Sequence, residues 1–113
     1  MGRYRLKVRH GSRVERESFE DLDAALNAMK RQTQLIRKEG PLDEISAIRD
    51  YEPGQRVHAR LELSAGGPFR RREAGMDLMG DGSLVPYVGA VRKHRLEPAD
   101  GASPFDAVRA ALT

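Results

Sequence analysis

Residues 21–39 read DLDAALNAMKRQTQLIRKE, and the reading of this stretch decides the fold. Leu22, Ala25, Leu26, Met29, Thr33 and Ile36 recur at the i, i+3/i+4, i+7 spacing of a helix with one buried face. Asp21 suits the N-cap, and Asp23 falls in the first turn against the positive end of the dipole. Arg37 and Lys38 fall near the negative end, and Gly40-Pro41 is a stop signal. A helix of this length spans ~27 Å at ~1.5 Å per residue. Its single apolar stripe must lie on an apolar surface. The flanking segments alternate with a period of two, so that surface is expected to be a sheet.

Working outward toward the N-terminus, residues 1–19 read as a hairpin. Tyr4, Leu6 and Val8 alternate with Arg3, Arg5, Lys7 and Arg9, and His10-Gly11-Ser12 makes the turn. The returning strand, Arg13 to Phe19, carries Val14, Glu15, Arg16 and Glu17. Glu15 and Glu17 are expected to face the cations of the first strand across the ladder, where opposite charges support pairing. An unpaired row of cations would instead suit a phosphate backbone.

Toward the C-terminus, Pro41 to Glu44 is a connector and Ile45 to Tyr51 a short possible strand. Glu52-Pro53-Gly54-Gln55 fits a type I or II turn. Val57, Ala59, Leu61 and Leu63 then alternate with Arg56, His58, Arg60 and Glu62 in the clearest strand of the chain. After a small loop over Ser64 to Pro68, Phe69 to Arg95 reads as a long hairpin closing at Gly80-Asp81-Gly82, whose glycines supply positive φ. Gly75 is expected to mark a bulge, and Pro86 an edge or an interruption. With Met79 opposite Ser83, Arg70 falls near Arg92 and Arg72 near Ala90. Arg70, Arg71, Arg72, Arg92, Lys93 and Arg95 thus gather at the open end of this hairpin, with Arg70, Arg72 and Arg92 expected on one face. Finally, Ser103-Pro104-Phe105-Asp106 opens a short helix with a capping box, and Phe105, Val108 and Leu112 form its apolar side.

The chain has 113 residues, enough for one domain, taken as 1–113. Hydrophobic residues make up 39 % and aromatics 5 %, so the core is expected to be thin and aliphatic. Charged residues reach 33 % while the net charge is only +3, which describes a mixed surface. With no cysteine, disulfides, thiol chemistry and thiolate zinc sites are excluded. No apolar run approaches a membrane span and no leader pattern stands at the start, so the cytoplasm is the expected compartment and no membrane partner is expected.

Few motifs carry chemistry. His10, His58 and His94 are scattered, and none has a second ligand at helical spacing, so no metal or cofactor is expected. His10 reads as a turn residue and His58 as a surface strand residue. Asp77, Asp81 and Ser83 lack the spacing of a calcium loop, and an aspartate in a Gly-Asp-Gly turn ordinarily bonds its own backbone. Gly66-Gly67 and Gly80-x-Gly82 do not open a helix, so neither is a phosphate loop. No nucleophile, base and orienting group can be assembled, so the chain is expected not to be an enzyme. Tyr87 near Arg92 offers the single echo of a base-stacking surface.

The expected fold is therefore α+β: an antiparallel sheet of about five or six strands in ββα-ββββα order, packed against one long amphipathic helix, with a short C-terminal helix. The expected function is a small non-enzymatic binding or accessory module. It contacts nucleic acid through Arg5, Lys7 and Arg9 of the first hairpin and through Arg70, Arg71, Arg72, Arg92, Lys93 and Arg95 of the second. The alternative is a protein–protein or homo-oligomeric assembly module with no nucleic-acid role. Charge is regional: 1–19 holds six basic and two acidic residues, and 96–113 one basic and three acidic. A nucleic-acid binder would place both basic hairpins on one side, and a self-associating protein would oppose the basic region of one copy to the acidic region of another.

Overall fold

The computed structural model describes residues 3–39, 57–66, 71–89, 92–98 and 100–113. Strands β1 (Tyr4–His10) and β2 (Arg13–Phe19) are followed by helix α1 (Leu22–Lys38). Then come β3 (Val57–Ala65), β4 (Arg72–Met79), β5 (Leu84–Val88), β6 (His94–Arg95) and helix α2 (Pro104–Leu112). The six strands form one antiparallel sheet in the order β2-β1-β3-β4-β5-β6. Gly40-Pro41, the connector to Glu44, the strand read over Ile45–Tyr51, the turn at Glu52–Gln55, Gly67 and Phe69 lie outside the described residues.

Local chemistry accounts for most boundaries. Asp21 accepts the Ala24 N–H at 2.7 Å and caps α1, which satisfies one of the four N–H groups a helix start leaves over. The helix buries Leu22, Ala25, Leu26, Ala28, Met29, Thr33 and Ile36, and the Thr33 hydroxyl donates to the Met29 carbonyl at 2.8 Å. Ser103 and Asp106 complete the reciprocal capping box of α2, with Pro104 in its first turn. Gly11, at φ 62, makes the β1–β2 turn, and Gly82, at φ 89, belongs to the β4–β5 turn.

Both helices cover the same face of the sheet. α1 packs on β1, β2 and β3, and α2 on β4 and β5. Between them lies one aliphatic core: Leu6, Val8, Ala59, Leu61, Leu63, Ala74, Met76 and Leu78 of the sheet meet Leu26, Met29, Ile36, Val108 and Leu112 of the helices. Among the described residues no helix is long and apolar enough to cross a membrane.

Three details depart from the alternation read in the sequence. The bulge sits at His58, where the β3–β4 register slips between Val57 and Ala59, and not at Gly75, which stays in register opposite Glu62 and Tyr87. Gly75 is glycine because the Tyr87 ring lies on it: a Cβ there would stand 2.5 Å from the Tyr87 hydroxyl oxygen and 2.3 Å from the Leu61 carbonyl oxygen. Second, the strand after Gly82 does not run on to Arg95. It ends at Val88, the chain reverses beyond Gly89 at φ 107, and His94–Arg95 returns as β6. Third, β3 runs through Ser64 and Ala65, so the loop begins only at Gly66. Pro86 turns its missing donor away from β4, because the Met79–Ser83 and Glu73–Gly89 bonds place Met76–Pro86 among the non-bonded pairs. On the β6 side Pro86 only accepts, from Leu96 N–H at 2.8 Å.

Candidate functional site

Among the described residues both helices cover one face and no element covers the other, and period-two alternation decides which side chains reach it. Leu6 and Val8 face the helices, so Arg5, Lys7 and Arg9 of β1 face out. Their ladder partners share that face: Ser18, Arg16 and Val14 on β2, and Ser64, Glu62 and Arg60 on β3. It continues through Glu73, Gly75 and Asp77 of β4 and Val85 and Tyr87 of β5 to Arg95 of β6. Arg5, Lys7, Arg9, Arg16, Arg71 and Lys93 line one shallow groove of ≈ 550 Å³ together with Glu17, Glu62, Ser64 and Glu73. These six basic residues, drawn from both hairpins, therefore lie on one side of the sheet.

Every acid that the ladder sets on this face has a cation of its own. Arg60 donates to Asp77 through two bonds of 2.7 and 3.1 Å. Those bonds hold the Arg60 guanidinium above its ordinary range, against its partial burial. Arg71 reaches Glu73 at 2.8 Å and Lys7 reaches Glu62 at 4.0 Å. Arg5, Arg9, Arg16 and Arg95 make no ion pair among the described residues, so positive charge is in excess. The register places Lys7 directly opposite Arg16 and Arg9 directly opposite Arg60. Like charges across a ladder destabilise it, so this face sets repulsion beside repulsion.

Glu15 and Glu17 do not supply the compensation expected from the sequence. They stand opposite Val8 and Leu6, on the helix side of β2. Phe19 is the apolar anchor that sets the phase of this strand, and Val14, 42 % exposed, points the other way. Arg16 was legible from that phase; Arg60 was legible from its alternation with Ala59 and Leu61. Neither is conspicuous in a sequence rich in arginine.

The second basic cluster is divided by the same parity. Arg71 belongs to the groove, whereas Arg72 lies opposite Ala65 on the helix side and donates to the Thr113 carbonyl at 3.3 Å. Arg92 is exposed in the bend before β6, and Arg70 lies outside the described residues. Arg72 and Arg92 do not share the single face expected of them: Arg72 lies on the helix side, and Arg92 is exposed in the bend before β6. Lys93 and Arg95 reach the open face from the returning strand instead.

Tyr87 is not a stacking platform. It is 3 % exposed, with the Arg60 guanidinium 5.5 Å and the Lys93 ammonium 5.8 Å from its ring centroid. Burial, reinforced by Glu62 and Asp77, pushes its phenol far above the ordinary range. Its hydroxyl is buried without a hydrogen-bond partner among the described residues.

In the β4–β5 turn, Asp81 accepts the Ser83 hydroxyl at 2.6 Å and the Ser83 N–H at 2.9 Å. These bonds hold its carboxyl below the usual aspartate range and give it the turn role its sequence context implies. The histidines are scattered in sequence, yet the β1–β3 pairing brings His10 and His58 together, with Nε2 atoms 3.1 Å apart. No local signal marks two residues 48 positions apart. Comparison with protein-family models, curated proteins and solved structures returns no match for this chain.

Proposed function

We infer that this chain is a small non-enzymatic cytoplasmic module whose open sheet face contacts the phosphate backbone of a nucleic acid. One observation carries the reading: Arg5, Lys7, Arg9 and Arg16 of the first hairpin share a groove with Arg71 and Lys93 of the second, while Glu62, Glu73 and Asp77 are already paired and Glu17 at the β2 edge is the one further acid lining the groove. Successive cations on β1 stand ~6.7 Å apart, two strand residues, a spacing of the same order as that of phosphates along a strand. With Tyr87 buried, the face offers charge without an exposed ring. Phosphate contacts then dominate, and binding is modest, indifferent to sequence and strongly salt-dependent.

The test is the anisotropy of labelled duplex and single strands, read at several salt concentrations. Arg5→Ala with Arg9→Ala is expected to flatten the log–log salt slope for duplex by about two, near one unit per lost contact. Arg31→Ala with Lys38→Ala, exposed on α1, is expected to leave it unchanged. Absence of binding at low salt, with a concentration-dependent dimer in sedimentation, would replace this reading by self-assembly.

The self-assembly reading draws support from the outer edge of β2, which no other described strand pairs. Its sequence argues against simple edge pairing. An antiparallel two-fold pairing centred on Arg16 sets Arg16 against its own copy and Glu15 against Glu17, like charge on like.

A further inference from the structure

We propose that His10 and His58 form a two-histidine site for a late divalent transition metal, with zinc the ion to test. The site lies at the end of the sheet where β1 stops and the β3 bulge turns His58 toward His10, on the far side from the α2 end of the core. The two Nε2 atoms stand 3.1 Å apart, and the ring centroids 4.7 Å apart. An ion bonded to both nitrogens at ~2.05 Å, along the axis of each ring, sets the centroids ~4.8 Å apart at this nitrogen separation. A straight N–H···N bond of the same length would set them ~5.4 Å apart. The observed separation matches the shared-ion value and is shorter than that of a straight hydrogen bond, with the ring planes 58° apart.

The surroundings suit a ligand histidine. Nδ1 of His10 stands 3.4 Å from Oε2 of Glu39, and that same oxygen is held by Arg13 at 2.9 Å. A carboxylate on Nδ1 keeps the hydrogen there and turns the Nε2 lone pair outward, the usual support of a metal-bound imidazole. Without metal, one Nε2 carries the hydrogen that bridges the pair. On loading, that ring shifts its hydrogen from Nε2 to Nδ1 by exchange through water, so both Nε2 lone pairs face the ion and water fills its remaining positions. His10 also lines a recess of ≈ 200 Å³ with Val8, Ile36, Arg13 and Glu39, which leaves its ring accessible from the helix side.

The test uses the full chain freed of metal by chelation. Zinc titration followed by calorimetry, with long-range nitrogen NMR of the imidazoles, is expected to show saturable binding at a 1:1 ratio. The Nε2 resonances of His10 and His58 should move while those of His94 stay. His10→Ala or His58→Gln should each lower the affinity at least tenfold, and His94→Ala should not. Glu39→Gln should weaken binding by about tenfold through the orientation of His10. Copper should bind more tightly than zinc. The NMR readout needs no substitution, so a variant that misfolds leaves the question decidable. Unmoved Nε2 resonances at millimolar zinc, or affinity indifferent to both substitutions, would overturn the proposal.

Discussion

Replacing Gly75 by alanine tests the packing of the open face through the sign of its effect. Gly75 does not need a left-handed backbone, so by chain entropy alone Gly75→Ala would stabilise the protein by about 0.4–1 kcal/mol. The structure demands the opposite. The added Cβ would meet the Leu61 carbonyl oxygen at 2.3 Å and the Tyr87 hydroxyl oxygen and Cζ at 2.5 and 2.7 Å. Relief needs a shift of ~1 Å to reach ordinary contact, and Leu61, 0 % exposed at the centre of the sheet, has little freedom to make it. Overpacking of this kind costs about 2–3 kcal/mol, which lowers Tm by about 8–12 °C in a domain of this size. Urea melts of both proteins, followed by far-UV circular dichroism, measure the difference. Tyr87→Leu in the Gly75→Ala background should recover part of the loss, since it removes the ring contacts and leaves the carbonyl contact. A Gly75→Ala protein as stable as wild type, or more stable, would refute the reasoning and return Gly75 to the role of an ordinary strand glycine.

Tyr87→Phe removes a buried hydroxyl that has no partner among the described residues, so stability should be unchanged or slightly raised; a loss above about 1 kcal/mol in a denaturant melt would mean that the hydroxyl is bonded. Leu26, 2 % exposed at the centre of the α1 contact, should cost about 2–5 kcal/mol on substitution by alanine, and a midpoint equal to wild type would remove α1 from the centre of the core.

The cations show where sequence reading stops. That Arg5, Lys7 and Arg9 point away from Leu6 and Val8 follows from the pleat, a property of one strand. The fate of Arg71 and Arg72 does not follow from composition. Adjacent residues of one run end on opposite faces, Arg71 in the groove and Arg72 against the C-terminus of α2, because β4 is phased by Ala74 and Met76 in the core. Lys93 and Arg95 reach the open face only because the chain reverses beyond Gly89, and the signal for that reversal is a single glycine at positive φ. Glu15 and Glu17 look like natural partners for the first strand's cations until Phe19 is recognised as the residue that sets the phase of β2.

The sequence by itself determined α1 and α2, their N-caps, the turns at Gly11 and at Gly80–Gly82, the ββα-ββββα order and the phase of β1 and β3. Each of these rests on interactions within a few residues: an i, i+4 stripe, a side chain bonded to a nearby N–H, a pleat of period two. The tertiary structure alone decided that β1 lies between β2 and β3, that both helices cover one face, and that His10 meets His58. Strand order and shared faces arise from hydrogen bonds and burial between segments far apart in the chain. Local propensity carries no record of them, which is why the basic hairpins were legible and their common side was not.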